Sequence, residues 1–140
     1  MTAYVRLRVA GEMYAVPVTH VLEIADLGTV AAVPGAPAEI LGVRNLRGRL
    51  LPVVDLAALL GIHHDAQPAR LLVTEAGGQQ AGLAIDEVTQ VGDMAEPAEE
   101  AGSSLLRGAT LTDGQLIGVL DVPRVFATLE QGRLRQGPGR

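Results

Sequence analysis

The chain carries one pattern of apolar residues twice. Val16, Val18, Val21 and Ile24 recur with identical spacing as Leu83, Ile85, Val88 and Val91, at a constant offset of 67 (Val16 to Leu83, Ile24 to Val91). Leu50-Leu51-Pro52-Val53-Val54-Asp55-Leu56 recurs as Leu116-Ile117-Gly118-Val119-Leu120-Asp121-Val122, at an offset of 66 (Leu50 to Leu116). Leu46-Arg47-Gly48 finds a partner in Leu106-Arg107-Gly108, which makes the intervening hairpin differ in length between the copies. Two copies of one pattern predict two similar units, so a single set of short elements has to account for both halves.

In the first copy, Tyr4 to Val9 alternates apolar and arginine side chains, Gly11-Glu12 makes a turn, and Met13 to Val18 alternates again, which predicts a hairpin. Pro17 cannot donate to a ladder, so that second strand is expected at a sheet edge or to end early, with Val16 and Val18 facing in. A proline-rich loop from Val33 to Pro37 leads to one helical turn at Ala38 to Leu41. Gly42 to Asn45 then reads as a loop, Leu50 to Val54 as a buried strand, and Asp55 as the N-cap of a short helix closed by Gly61.

Residues 63–68 form a polar connection between the halves. The second copy runs through Leu71-Leu72-Val73, a Gly77-Gly78 turn and the stretch Ala81 to Val91. An Asp113-Gly114 hairpin turn follows, and Asp121 caps a longer helix with Pro123 in its first turn and Gly132 after its end. Short strands punctuated by Gly, Pro and Asp favour a small barrel or curled sheet in each half, with a groove between the two lobes as a natural partner site.

A chain of 140 residues that is 48% apolar can bury a core. It contains no cysteine, which removes disulfides, thiolate metal sites and cysteine nucleophiles and is compatible with the cytoplasm. The net charge is −5 and all 11 basic residues are arginines, so nucleic acid is not an expected partner. Arginine's rigid fork makes directional carboxylate contacts the expected kind of ionic contact. No apolar run has the length to span a bilayer, and the N-terminus alternates rather than forming a signal-peptide core, so a soluble, non-exported chain without membrane insertion is expected. Residues 131–140, rich in glycine with one large apolar residue, read as a flexible tail.

Chemistry-bearing residues are sparse. Arg47 is a candidate contact beside a turn, or else an arginine that serves the fold, a reading its apparent counterpart Arg107 strengthens. Glu23, between Val21 and Ile24, should point away from the core, and its counterpart is the uncharged Gln90. Asp55 and Asp121 read as helix caps rather than catalytic acids. Adjacent His63 and His64 diverge and lack a third ligand, and His20 reads as a partly buried polar filler. Six acids between Asp86 and Glu100 predict a negative, solvated face on the second lobe. Phosphate-loop, dinucleotide, metalloprotease and kinase motifs are absent, so no catalytic residue, cofactor or metal ligand is assigned.

Tyr14-Ala15-Val16-Pro17-Val18, Val21-Leu22-Glu23-Ile24, Val33-Pro34 and Gly42 through Gly48 to Leu56 together resemble the CheW family of chemotaxis coupling proteins. The likeness continues through Gly82, Asp86-Glu87-Val88, Leu106-Arg107-Gly108 and Leu116 to Asp121, covering about residues 4–130. It implies a mainly β fold of two tandem small five-stranded SH3-like β-barrels, with short helices after Asp55 and Asp121. It also implies one domain over 1–130 with intertwined subdomains at about 15–66 and 67–130, the N-terminal strand packing across.

The implied function is a non-catalytic cytoplasmic adaptor, recruited to membrane receptor arrays. Its implied partners are the regulatory domain of a CheA-type histidine kinase and the cytoplasmic tips of methyl-accepting chemoreceptors. Val21, Glu23, Asn45 and Arg47 carry over as contacts, with Gly42 shaping the loop. Lack of lysine, few aromatics and Pro17 are departures from the family pattern. The rival reading is a small-ligand-binding double barrel that holds an acid in the interlobe groove through Arg47 and Arg107.

Overall fold

Four two-residue turns set the strand pairing. Ala10-Gly11, Arg47-Gly48, Gly77-Gly78 and Asp113-Gly114 all have positive φ, from 52° to 87°, the backbone signature of the tight turns whose twist matches a right-handed hairpin. They join β1 (Thr2–Val9) to β2 (Glu12–Pro17), β4 (Ile40–Leu46) to β5 (Arg49–Asp55), β6 (Arg70–Ala76) to β7 (Gln79–Ile85), and β9 (Leu106–Thr112) to β10 (Gln115–Leu120). β3 (Val21–Asp26), β8 (Glu87–Met94), α1 (Leu56–Leu60) and α2 (Val122–Gln136) complete the set. The computed structural model describes residues 2–63, 67–98 and 104–136, the last six of these by backbone alone.

The strands form two five-stranded sheets, ordered β8-β1-β2-β10-β9 and β3-β6-β7-β5-β4. The mainly β fold of two five-stranded units is therefore as expected, but the units do not divide the chain at the sequence repeat. Each sheet takes one hairpin from one copy and three strands from the other, joined by the parallel pairs β2–β10 and β5–β7. The split near residues 66 and 67 marks the repeat. The first sheet combines residues 2–17 with 87–120, and the second uses 21–85.

Buried strands have neighbours on both faces, and alternate residues enter different cores. In β6, Leu72 joins the large core between the sheets, whereas Leu71 and Val73 fill the inside of the second sheet. β5 splits the same way at Val53 and Val54. The inside of the first sheet is filled by Tyr4, Ala15, Met94, Ile117 and Val119. This double burial explains why Leu71-Leu72-Val73 reads as a continuous apolar run; in Leu50 to Val54, expected to be buried throughout, it holds for Val53 and Val54, while Leu50 and Pro52 are exposed.

Several expectations shift locally. The first turn falls at Ala10-Gly11, one residue before Gly11-Glu12. β2 lies inside its sheet and ends at Pro17, and Val18 enters a 3₁₀ turn and is 37% exposed rather than facing in. Ala38 to Leu41 is no helical turn, because β4 starts at Ile40, and Gly42 to Asn45 belong to that strand, not to a loop. The helix caps hold: Asp55 Oδ1 accepts from Ala58 N–H at 3.2 Å and Asp121 Oδ1 from Arg124 N–H at 3.0 Å. α2 runs past Gly132 to Gln136, and Val125 and Phe126 of its first half are buried in the core between the sheets. Residues 131–136, expected in a tail, are therefore helical, and 137–140 lie outside the described residues.

Candidate functional site

Arg47 occupies the first position of the β4–β5 turn, at φ 52°, and its guanidinium pairs with Glu23 of β3. β3 and β4 are the two edges of the second sheet, and among the described residues no ladder joins them. The ion pair therefore links edge to edge across a curled sheet. Both partners face solvent, with side-chain exposures of 65% for Arg47 and 32% for Glu23, so the pair contributes little to stability.

The neighbouring residues support this tip. Asn45 Oδ1 accepts from Gly48 N–H at 2.9 Å, tying the turn closed, and Arg44 Nε donates to Leu27 O at 2.7 Å, fastening the chain after β3 to β4. Val21 is half-buried against the core between the sheets, so its side chain packs rather than projects. Leu22 and Val18 are exposed on the same segment, at 46% and 37%. The structure thus joins Glu23 to Arg47, with Asn45 in the same hairpin, and leaves Leu22 and Val18, the latter expected to face in, exposed on the chain leading into Glu23.

Gly42 acts at a distance from that tip. It sits at a β-bulge with φ 149°, where the backbone of Ala31 crosses β4. A side chain there would overlap Ala31 O and lie 2.7 Å from Ala31 C. Gly108 repeats the arrangement with φ 159° against Ala98.

That equivalence corrects the alignment of the two copies. Gly42 matches Gly108 and the Arg47-Gly48 turn matches Asp113-Gly114, all at the offset of 66 that relates Leu50 to Leu116, so the hairpins are equal in length. Leu106-Arg107-Gly108 was a coincidental tripeptide match, and Arg107 is not the counterpart of Arg47. Extending the offset backward from Leu116 without a gap finds the true one, Asp113. Its carboxylate reaches Arg6 of β1 at 3.3 Å, so each hairpin tip ties back across its own sheet, with the charge polarity reversed.

The remaining candidates are structural. His20 Nδ1 lies 3.0 Å from Glu75 O. His63 is exposed and His64 lies outside the described residues. The acidic stretch is partly partnered: Asp86 Oδ2 accepts from Ala10 N–H at 3.0 Å, Glu87 pairs with Arg8, and Glu96 accepts from Thr2 and Tyr4 hydroxyls, while Glu99 and Glu100 lie outside the described residues. The Thr2 hydrogen bond leads the effects that hold the Glu96 carboxyl below its ordinary range. Burial, then Glu96, raises Tyr4. Among the described residues no cluster of His, Asp and Glu could hold a metal ion, and no helix is long and apolar enough to cross a membrane.

The geometry is that of two interlocked five-stranded sheets with an exposed, charge-linked hairpin tip. Residues 3–130 match the CheW-like domain, and the chain belongs to that family. It is 30% identical over 136 residues to a probable chemotaxis protein CheW of Rhizobium etli, covering 90% of this chain and 88% of that one. Protein FrzA of Myxococcus xanthus is 30% identical over 135 residues, covering 89% and 84%. The crystal structure of scaffolding protein TtCheW from Thermoanaerobacter tengcongensis superposes with a TM-score of 0.78 at 28% identity, covering 86% of this chain and 88% of that one. The chain is an adaptor of the chemotaxis type, and the ligand-binding rival loses its paired arginines.

Proposed function

We propose that the chain couples the cytoplasmic tips of methyl-accepting chemoreceptors to the regulatory domain of a CheA-type histidine kinase, without catalysing a reaction itself, in the cytoplasm at membrane receptor arrays. The observation that carries this reading is the edge-to-edge pair of Arg47 and Glu23 at an exposed hairpin tip, with Asn45 beside it and Leu22 and Val18 uncovered on the adjoining segment. A directional charge pair flanked by exposed leucine and valine suits a protein contact: the apolar strip supplies buried area and the charges fix orientation.

Coupling needs no chemistry. A scaffold that binds one receptor arrangement and one kinase arrangement more tightly than others transmits a change between them, and array multivalency lets each contact stay weak. Val21 acts through packing and Gly42 through the backbone of β4, so they shape the surface rather than touch the partner.

Pull-down with a kinase regulatory domain and with a receptor-tip fragment tests this directly. Wild-type chain should retain both. Arg47→Ala and Glu23→Ala should weaken at least one contact several-fold while the melting temperature stays nearly unchanged. Retention of neither partner by the wild type would overturn the proposal, and a large loss of melting temperature in Arg47→Ala would make that arginine structural.

A further inference from the structure

The two copies also build two equivalent concavities. One of about 480 Å³ lies between Glu12-Met13-Tyr14 of β2, Leu106 and Gly118. Its counterpart, with Gln79-Gln80-Ala81 of β7, Ile40 and Pro52 at the same offsets, is larger, at about 690 Å³. The difference comes from the helices. α1 has 5 residues, whereas α2 has 15 and walls the larger groove with Phe126 and Leu129.

We infer that this groove docks an amphipathic helix whose apolar stripe is flanked by basic residues. Its floor is apolar, formed by Ile40, Pro52, Val54 and Leu59. Its polar lining includes Glu39 and Glu130 with Gln79 and Gln80, and among the described residues no Arg lines it, so a basic partner is electrostatically matched. None of those four side chains is fully buried, and small-molecule sites require convergent polar groups inside the pocket.

Strand addition is disfavoured as well. Of the strands that line the groove, β5 and β7 are interior and already paired on both sides, and the edge strand β4 contributes only its first residue, Ile40, so docking proceeds through side chains in the helix-in-groove mode. The groove is also separate from the Arg47 tip. Ile40 and Val54 sit at the other end of the β4–β5 hairpin, six residues or about 20 Å of strand away.

Three synthetic peptides of about 18 residues, or five helical turns, test the inference without kinase or receptor: one with a leucine stripe and Lys/Arg flanks, its twin with Glu flanks, and a scrambled basic peptide. Titrated into the isotope-labelled full chain, the first should shift the amide resonances of Ile40, Ala81, Phe126 and Leu129. Combining Glu39→Arg with Glu130→Arg should weaken it at least ten-fold, and Arg47→Ala should leave it unchanged. Equal binding by the scrambled or acidic peptide, shifts confined to the Arg47 end, self-association through this face or no binding at all would each overturn the inference. A failure here leaves the coupling reading standing, because Arg47 and the partner fragments take no part.

Discussion

Replacing Gly42 by alanine should cost far more than replacing the nearby Gly48. At Gly48 the φ of 87° opposes a side chain but the space is open, so Gly48→Ala should lose about 1 kcal/mol. Gly42 has a positive φ of 149° and also a collision, since its new Cβ would overlap Ala31 O. Relief requires the Ala31 segment to move off β4, breaking the reciprocal bonds Ala31 N–H to Val43 O at 2.8 Å and Val43 N–H to Ala31 O at 2.9 Å. Two backbone bonds at about 1 kcal/mol each, added to about 1–2 kcal/mol of backbone strain, give about 3–4 kcal/mol.

In a domain of this size that loss lowers the melting temperature by roughly 10 °C. Urea unfolding followed by circular dichroism measures it, with the midpoint falling and the slope unchanged. Gly108→Ala should behave like Gly42→Ala, since the same collision meets Ala98 O. If Gly42→Ala proves no worse than Gly48→Ala, the claim that Gly42 exists to admit a crossing backbone is wrong.

Other outcomes follow from the same contacts. Asp55→Ala removes the cap on Ala58 N–H and should cost about 1 kcal/mol by the same urea assay, with Asp55→Asn recovering most of it. The Glu96 carboxyl is held below its ordinary range, first by the Thr2 hydroxyl, so its stabilising effect is complete above the unfolded carboxylate value and disappears as pH falls through the folded one. Glu96→Gln should therefore flatten the acid limb of the stability-against-pH curve and, because Glu96 also helps raise the Tyr4 phenol, soften the alkaline limb. The Tyr14 phenol is raised, first by burial and then by its bond to Glu12, so folding is favoured below the ordinary tyrosine value and weakened above it. Tyr14→Phe should flatten that alkaline limb.

Much of the fold was legible because the duplication, the turn residues and the two aspartate caps are local signals. The exchange of strands between copies was not: the parallel pairs β2–β10 and β5–β7 join residues far apart in the chain, and nothing in the alternation of Met13 to Val18 says whether its neighbour lies on one side or both. Pro17 invited an edge assignment, yet its place at the end of β2 removes the conflict. At the candidate site, Glu23, Asn45 and Arg47 were named from the family resemblance, whereas the pairing of Arg47 with Glu23 across a curled sheet depends on edges that only the sheet order reveals. The mistaken pairing of Arg47 with Arg107 arose because Leu-Arg-Gly occurs twice. Gly42 and Gly108 share a backbone requirement that the letter G does not distinguish from an ordinary turn glycine.

The most direct test of the coupling claim is kinase autophosphorylation measured with receptor-tip assemblies, a CheA-type kinase and this chain, each omitted in turn. The account predicts that receptor state changes kinase activity only when the chain is present, and that Arg47→Ala blunts the response without unfolding the protein. A receptor response of equal size without the chain, or phosphoryl turnover by the chain alone, would contradict it.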